Sequence, residues 1–235
     1  MIDYYWKTVN KINLSSQYDL YEFGVANPHT NHSSTRQILQ CCRDNDIQFS
    51  TYRGFDSFIG LPELTKKDDL ELCKQLEWYK GRFSAKDFYS KDSDGLQHNI
   101  SRDSFPVLET VEQIVEHQTT EFNKLINRNQ KIIFTPGYYE DTLPTIDVSD
   151  FKPALVAHVD CDIYSSAFQV LDFLYKNDLI VDQTFILFDD WHCTDESTGE
   201  KLAFKEIRKK YPYFDYDVEG YDGNPSKGFR AIKKV

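Results

Sequence analysis

The chain has 235 residues, of which 40% are hydrophobic and 28% are charged, a composition typical of a folded globular protein. Its formal net charge of −11 argues against nucleic acid and anionic membranes as main partners, because both are bound through basic patches. The five cysteines show no CxxC pair and no zinc-ligand spacing, which is typical of reduced thiols. The N-terminus lacks an apolar signal-peptide core, and no apolar run approaches the roughly 18 residues that span a bilayer, so we expect a cytoplasmic protein.

Apolar segments of strand length alternate with amphipathic segments of helix length, which predicts an α/β fold with a mostly parallel sheet and helices on both faces. A single domain over residues 1–235 accommodates them all. Strands are expected at residues 18–25, 49–56, 131–135, 154–159 and 184–188, with two closing strands at 214–218 and 228–233 around a turn at 222–225. Helices are expected at residues 33–45, 108–127, 165–177 and 199–210.

A long charged and aromatic segment interrupts this alternation between Ser57 and Pro106. Long insertions in compact domains are usually either functional lids or disordered segments. We interpret residues 57–104 as a lid inserted over the site, because aromatic side chains are frequent in the middle of the segment.

Two pairs of aspartates follow two successive apolar strands. Asp160 and Asp162 end ALVAHVDCD, and Asp189 and Asp190 end TFILFDD. Because side chains alternate along a strand, we expect Asp160 and Asp162 on one face, about 6.5 Å apart in height. Ligands bind beyond the carboxyl ends of the strands in such sheets, and clustered carboxylates are costly unless a cation compensates them. Their oxygen ligands suit magnesium, calcium or manganese, so the pattern predicts a divalent-cation site.

Each aspartate also has an ordinary explanation. An aspartate after a strand is often a helix N-cap, so Asp162 or Asp190 alone would not indicate a metal. A DxD motif alone is weak as well, because metal-dependent glycosyltransferases also use one. Two acidic pairs after two successive strands are considerably more specific than either pair alone.

The first two strands end in residues suited to a nucleotide-like cofactor. Glu22 and Gly24 close the first strand, where such cofactors usually bind and where a glycine lets the backbone approach a ligand. Asp56 ends the second strand, where a carboxylate can accept hydrogen bonds from both hydroxyls of a ribose. Taken alone, Gly24 is more often a turn residue, and Asp56 is as often a solvated turn residue.

Four residues beside the aspartates have simpler explanations than catalysis. His192 could touch the substrate, but a surface histidine that caps a helix is the simpler interpretation. His158 lies inside a buried strand and is expected to be a hydrogen-bonded core residue. Cys161 and Cys193 are expected to be packing residues.

Six segments together resemble the macrocin O-methyltransferase family, which includes the methyltransferases of tylosin, mycinamicin and novobiocin biosynthesis. They are YEFGV at 21–25, GFDSFIGLPE at 54–63, KGRFSA at 80–85, GYYEDTLP at 137–144, HVDCDIYSS at 158–166 and FDDW at 188–191. The segments follow the family order over nearly the whole chain. The resemblance implies a class I methyltransferase fold, Rossmann-like, with a seven-stranded sheet whose last strand is antiparallel.

The resemblance also implies an activity and its site. The methyl donor would be S-adenosyl-L-methionine, the metal Mg²⁺ or another divalent cation, and the acceptor a hydroxyl of a sugar or sugar-like small molecule. The motifs make Asp160, Asp189 and Asp190 metal ligands and Asp162 the general base. They assign Glu22, Gly24, Asp56, Ser57 and Tyr138 to the cofactor site, with Tyr138 near the adenine. A homodimer is compatible with the family.

Two features depart from the family pattern. After the first glycine the family has a short Gly-Gly-Ser-like turn, whereas GVANPHTNHSST here is longer and has no second glycine. An extra stretch at residues 86–104 is expected to reshape the acceptor pocket. Two alternatives stay open: a metal-dependent glycosyltransferase, based on the DxD of Asp160 and Asp162, and a non-catalytic, methyltransferase-like binding protein, based on the altered glycine loop.

Overall fold

The structure is a computed structural model that describes residues 17–25, 27, 29, 33–90, 105–222 and 226–235. Its strands are β1 (Asp19–Phe23), β2 (Thr51–Asp56), β3 (Lys131–Pro136), β4 (Ala154–Val159), β5 (Phe185–Phe188), β6 (Phe214–Asp222) and β7 (Lys227–Lys233). Its helices are α1 (Ser34–Asp44), α2 (Leu70–Gln75), α3 (Ala85–Tyr89), α4 (Val111–Asn123), α5 (Tyr139–Thr142), α6 (Tyr164–Lys176) and α7 (Gly199–Lys210), with a 3₁₀ turn at Lys66–Asp68.

The strands form one seven-stranded sheet in the order β3-β2-β1-β4-β5-β7-β6. Neighbouring strands from β3 to β5 pair in parallel, whereas β7 is antiparallel to both β5 and β6. This confirms the predicted fold class, including the antiparallel last strand. The strand order reverses between β1 and β4, so a crevice for ligands is expected at their carboxyl ends.

Helices cover both faces of the sheet because its central strands are apolar on both sides. β4 and β5 are buried along their whole length. On one face Leu20 and Val156 join a core with residues of α1 and α4. On the other face Phe23 and Ala157 join a core with residues of α6 and α7. Such two-sided burial explains why these strands are continuously apolar in sequence.

Capping side chains set where two of the predicted helices begin. Ser33 caps α1 by accepting a hydrogen bond from the Arg36 N–H at 3.2 Å, as its position before the helix predicts. Thr110 and Gln113 form a capping box, so α4 begins at Val111, three residues later than the predicted start. None of the helices in the described part of the chain is both long and apolar enough to cross a lipid bilayer.

The segment interpreted as a lid is more structured than its sequence predicts. Residues 57–90 contain the 3₁₀ turn, α2 and α3, and they bury Phe58, Trp78 and Tyr89. The buried Asp68 carboxylate accepts a hydrogen bond from the Ser165 N–H at 2.7 Å, which joins the segment to the start of α6. That residues 57–104 act as a lid stays a prediction. Residues 91–104 of this segment lie outside the described residues, and so do residues 223–225 of the predicted turn between the last two strands.

Gly24 lets the ends of β1 and β4 approach each other. Its φ is +89°, and a Cβ atom there would lie 2.0 Å from the carbonyl oxygen of Asp160. The Asp160 N–H also donates to the Phe23 carbonyl at 2.9 Å. The close approach that this glycine allows is therefore to the backbone that carries the first aspartate pair.

We predict that Gly24→Ala lowers the free energy of unfolding by about 2–5 kcal/mol, measured by urea unfolding. The left-handed backbone and the overlap with Asp160 both contribute to this loss. Gly81→Ala is the matched control, because Gly81 has φ +82° but a Cβ there meets no atom within 4 Å. The control should lose only about 1–2 kcal/mol from backbone strain. Equal losses in the two variants would contradict the proposed contact.

Candidate active site

The predicted site residues lie at one edge of the sheet. Gly24 follows β1, Asp56 ends β2, Tyr138 follows β3, Asp160 follows β4 and Asp189 follows β5. Because these five strands run in parallel, their carboxyl ends meet at the same edge. The topology alone therefore gathers residues that are far apart in the sequence.

Three half-buried aspartates form a group that we call the acidic cluster: Asp160, Asp162 and Asp190. One carboxylate oxygen from each lies within 4.8 Å of the others, and no other such group occurs among the described residues. Three hard oxygen donors at this spacing fit a divalent cation of the magnesium or calcium type. The acidic cluster lies at the sheet edge where the cation site was predicted, but it contains Asp162 in place of the predicted ligand Asp189, and cation binding stays a prediction.

The reason for this convergence differs from the predicted one. β4 ends at Val159, so Asp162 is not on a strand, and the inference that Asp160 and Asp162 share a strand face about 6.5 Å apart is wrong. A tight turn follows instead, in which the Ile163 N–H donates to the Cys161 carbonyl at 2.5 Å and Asp162 has φ +55°. This turn brings the Asp162 carboxylate back to those of Asp160 and Asp190.

Asp189 stands beside the acidic cluster rather than within it. Its side chain is 41% exposed, and its Oδ1 atom lies 3.9 Å from His158 Nε2. The same oxygen accepts a hydrogen bond from the Ser226 hydroxyl at 3.1 Å. The structure thus groups Asp162, and not Asp189, with Asp160 and Asp190; the ligand role of Asp189 stays a prediction.

Burial and mutual repulsion make the acidic cluster hard to ionise. Burial, reinforced by the neighbouring carboxylates, raises the pKa of Asp160 and of Asp162 well above the usual range. Burial and the charge of Asp189 raise the pKa of Asp190 to about 6. The neighbouring Asp190 carboxylate contributes to the raised pKa of Asp162.

Besides the four predicted aspartates, a fifth carboxylate, that of Glu200, contacts the backbone of this site; it was not predicted from the sequence. It is fully buried at the start of α7, where its Oε2 atom accepts a hydrogen bond from the Asp190 N–H at 3.1 Å. Burial and the charge of Asp190 raise its pKa. An acidic residue in the first turn of a helix is ordinary, so the sequence carries no signal for this position.

Glu22 is fully buried and is held by protein groups on every side. Its carboxylate accepts hydrogen bonds from the hydroxyls of Ser34 at 2.5 Å, Thr35 at 2.8 Å and Tyr52. His158 Nδ1 lies 3.2 Å from the same carboxylate. Glu22 therefore ties β1 to α1, β2 and β4, which fixes the backbone that leads into the predicted cofactor loop.

His158 is the hydrogen-bonded core residue that was expected. Burial lowers its pKa, but the hydrogen bond and charge of Glu22, with the charge of Asp189, outweigh this and leave the pKa raised. The imidazole lies between Glu22 and Asp189 and so connects the predicted cofactor half of the site with the acidic half.

Asp56 holds the loops that follow β1 and β2. Its Oδ2 atom accepts from the Val25 N–H at 2.8 Å and its Oδ1 atom from the Phe58 N–H at 2.5 Å. Burial raises its pKa to about 6, although both backbone hydrogen bonds oppose this. Each oxygen keeps acceptor capacity, since a carboxylate has about four lone-pair sites. The group therefore fits a ligand with two adjacent hydroxyls, such as a ribose.

Ser57 and Tyr138 lie next to Asp56 but make contacts of their own. The Ser57 hydroxyl donates to the Gly60 carbonyl at 2.7 Å and shapes the turn after β2. Tyr138 is half-buried before α5, and its carbonyl accepts from the Thr142 hydroxyl at 2.9 Å. The adjacent Tyr139 packs against the core, and its hydroxyl donates to the Phe55 carbonyl at 3.3 Å.

The remaining neighbours divide into packing and polar roles. Cys161 is buried in the core, as expected. Cys193 packs beside Trp78 and Ile163, and its thiol also donates to Asp190 Oδ1 at 3.5 Å, a polar contact that the sequence does not predict. His192 is exposed in the turn after Asp190 rather than at a helix terminus.

The sequence and the fold of the chain both resemble those of known proteins. The family model described as Macrocin-O-methyltransferase (TylF) matches residues 79–219. No curated protein sequence matches the chain significantly. The solved O-methyltransferase NovP is 19% identical, with a TM-score of 0.59 over 99% of this chain and 78% of NovP. The calicheamicin methyltransferase CalS11 is 14% identical, with a TM-score of 0.53 over 97% of this chain and 76% of CalS11. Both structures share the fold.

The family match covers more than half of the chain and spans β3, β4 and β5 with the aspartates that follow β4 and β5. These are the elements that build the acidic edge of the sheet. The chain belongs to the macrocin-O-methyltransferase (TylF) family and is an S-adenosylmethionine-dependent O-methyltransferase.

Proposed function

We propose that the protein methylates a hydroxyl of a sugar or sugar-like small molecule and that a divalent cation, Mg²⁺, assists the reaction at the acidic cluster. The observation that carries the metal dependence is the convergence of three half-buried carboxylates within 4.8 Å of one another. The acceptor class is what the resemblance to the macrocin-O-methyltransferase family implies.

The cofactor would occupy the crevice beyond β1, β2 and β3. Asp56 would accept the two ribose hydroxyls, and Ser57 would support the turn beside it. Tyr138 would lie against the adenine, and Gly24 would keep the end of β1 close to Asp160. Glu22 would act through the backbone of this region, because its carboxylate is occupied by protein groups. S-adenosylmethionine supplies an electrophilic methyl group.

Asp160 and Asp190 would hold the cation, with Asp189 beside them at the more exposed rim. When bound, Mg²⁺ lowers the pKa of an acceptor hydroxyl and stabilises the developing alkoxide. The protein prepares this position by keeping the carboxylates close together, where a cation relieves their repulsion. Two adjacent hydroxyls suit such a position better than one, which favours a vicinal diol.

Asp162 would remove the proton from the acceptor hydroxyl. Burial and the neighbouring carboxylates raise its pKa, and a cation bound at the acidic cluster would offset that repulsion and favour the ionised form that a general base requires. The left-handed turn at Asp162 directs it toward the other carboxylates rather than along the strand. Holding the acceptor oxygen, the methyl carbon and the sulfur of the methyl donor in line would supply much of the remaining acceleration.

The direct test of the function is methyl transfer from S-adenosylmethionine to a panel of glycosides and nucleotide sugars, followed by mass spectrometry. We expect one acceptor to gain a methyl group in the presence of Mg²⁺. Chelation by EDTA should abolish transfer, and added Mg²⁺ should restore it. Transfer that is equally fast in EDTA would contradict the metal dependence while leaving methyl transfer in place.

The roles of ligand and base can be separated by substitution. Asp190→Asn should weaken Mn²⁺ binding and show partial rescue of turnover at high Mg²⁺. Asp162→Asn should bind Mn²⁺ nearly normally but turn over about 10²–10⁴ times more slowly, the usual range for general acid–base catalysis. Asp215→Asn, at a side chain that is 72% exposed, controls for charge and should change neither property.

Binding and turnover need to be measured on the same preparations, with Mn²⁺ binding followed by titration calorimetry. If Asp162→Asn abolishes Mn²⁺ binding yet keeps full turnover at saturating Mg²⁺, Asp162 is a ligand and not the base. Asp189→Asn should weaken Mn²⁺ binding as well, and an unchanged affinity would remove Asp189 from the proposed ligands.

The pKa of Asp56 predicts how cofactor affinity depends on pH. Above pH 6 its carboxylate is ionised and accepts hydrogen bonds; below that value it becomes protonated. Affinity for S-adenosylhomocysteine, measured by calorimetry, should therefore fall as the pH drops through 6. Asp56→Asn should weaken binding about 10–100-fold at neutral pH and remove this pH dependence. A pH profile that is the same in both proteins would exclude Asp56 as the titrating contact.

A further inference from the structure

Glu200 is a fully buried carboxylate whose two oxygens contact two different loops. Its Oε2 atom accepts the Asp190 N–H at 3.1 Å, and its Oε1 atom lies 3.5 Å from the Cys161 nitrogen as a longer hydrogen bond. Cys161 lies between Asp160 and Asp162 in the loop after β4, whereas Asp190 lies in the loop after β5. One side chain therefore bridges the two loops that carry the acidic cluster.

The helix that carries Glu200 is a rigid support for this bridge. Ala203, Phe204 and Ile207 of α7 are buried in the core against the sheet. The helix begins at Gly199, where the φ is +52° and a Cβ atom would lie 2.6 Å from Thr194 Cγ2. The packing of the helix on the sheet core therefore holds Glu200 in place, and the helix entry packs against Thr194 of the loop after β5.

We propose that Glu200 is a positioning residue that holds the two aspartate loops at the spacing that a divalent cation requires. The inference rests on the proposed metal-assisted function and extends it to a residue that does not itself touch the cation. A shift of either loop would move Asp160 and Asp162 relative to Asp190, because the bridged amides belong to the same loops as those side chains. Outer partners of metal ligands typically change metal affinity by about 10–100-fold when they are removed.

The test compares Mn²⁺ affinity, followed by electron paramagnetic resonance of free Mn²⁺, in the full chain and three variants. Glu200→Gln keeps the shape, but only one of its two polar atoms can accept a backbone N–H. Glu200→Asp keeps the charge, but is one methylene too short to bridge both loops. Glu206→Gln is the matched control on the same helix, because that carboxylate accepts from the Tyr164 hydroxyl at 2.6 Å.

We expect both Glu200 variants to bind Mn²⁺ about 10–100-fold more weakly, with unchanged affinity for S-adenosylhomocysteine and melting temperatures that show folded protein. The control should bind Mn²⁺ as the unsubstituted chain does. High Mg²⁺ should restore turnover in Glu200→Gln, because the ligands themselves are intact.

Three outcomes would overturn the inference alone. Unchanged Mn²⁺ affinity in both variants would show that the bridge is not needed. Normal affinity in Glu200→Asp with weak affinity in Glu200→Gln would make charge, and not bridging, the cause. Parallel loss of Mn²⁺ and S-adenosylhomocysteine binding with a large fall in melting temperature would make Glu200 a residue of the fold alone. Failure of the unsubstituted chain to bind Mn²⁺ would instead overturn the proposed function, and the inference with it.

Discussion

Repulsion among buried carboxylates is the constraint on which the rest of this site depends. Asp160, Asp162 and Asp190 converge within 4.8 Å, and Glu200 lies buried beneath them. Burial raises the pKa values of all four groups, and repulsion among like charges this close adds to that effect. Binding a divalent cation would turn this repulsion into affinity.

The same edge of the sheet connects the proposed cation site with the proposed cofactor site. Gly24 lets β1 pack against the Asp160 carbonyl, and Asp56 joins the loops after β1 and β2. His158 lies between the carboxylates of Glu22 and Asp189 and so connects the two proposed sites. Methyl transfer requires donor and acceptor to be held in line, so rigid connections between the two halves have a direct catalytic value.

The sequence predicted the parts of the structure that follow from local pattern and topology. The buried strands β4 and β5 and helix α7 were expected nearly to the residue, and parallel strands necessarily bring Asp56, Asp160 and Asp189 to one edge. Features that depend on a left-handed turn or on distant partners were not predictable. The turn at Asp162 replaced the expected strand geometry, and the bridge from Glu200 joins residues that no sequence pattern connects. The short helices at residues 70–75 and 85–89 were also missed, because they are too short for a periodic signal.

The central claim is that one divalent cation binds the acidic cluster next to the cofactor. The most direct test is a crystal structure with Mn²⁺ and S-adenosylhomocysteine, in which an anomalous difference map locates the manganese. We expect a single manganese peak within bonding distance of carboxylate oxygens of Asp160 and Asp190, with the ribose of S-adenosylhomocysteine on Asp56. S-adenosylhomocysteine bound on Asp56 with no manganese at the acidic cluster, at millimolar Mn²⁺, would contradict it.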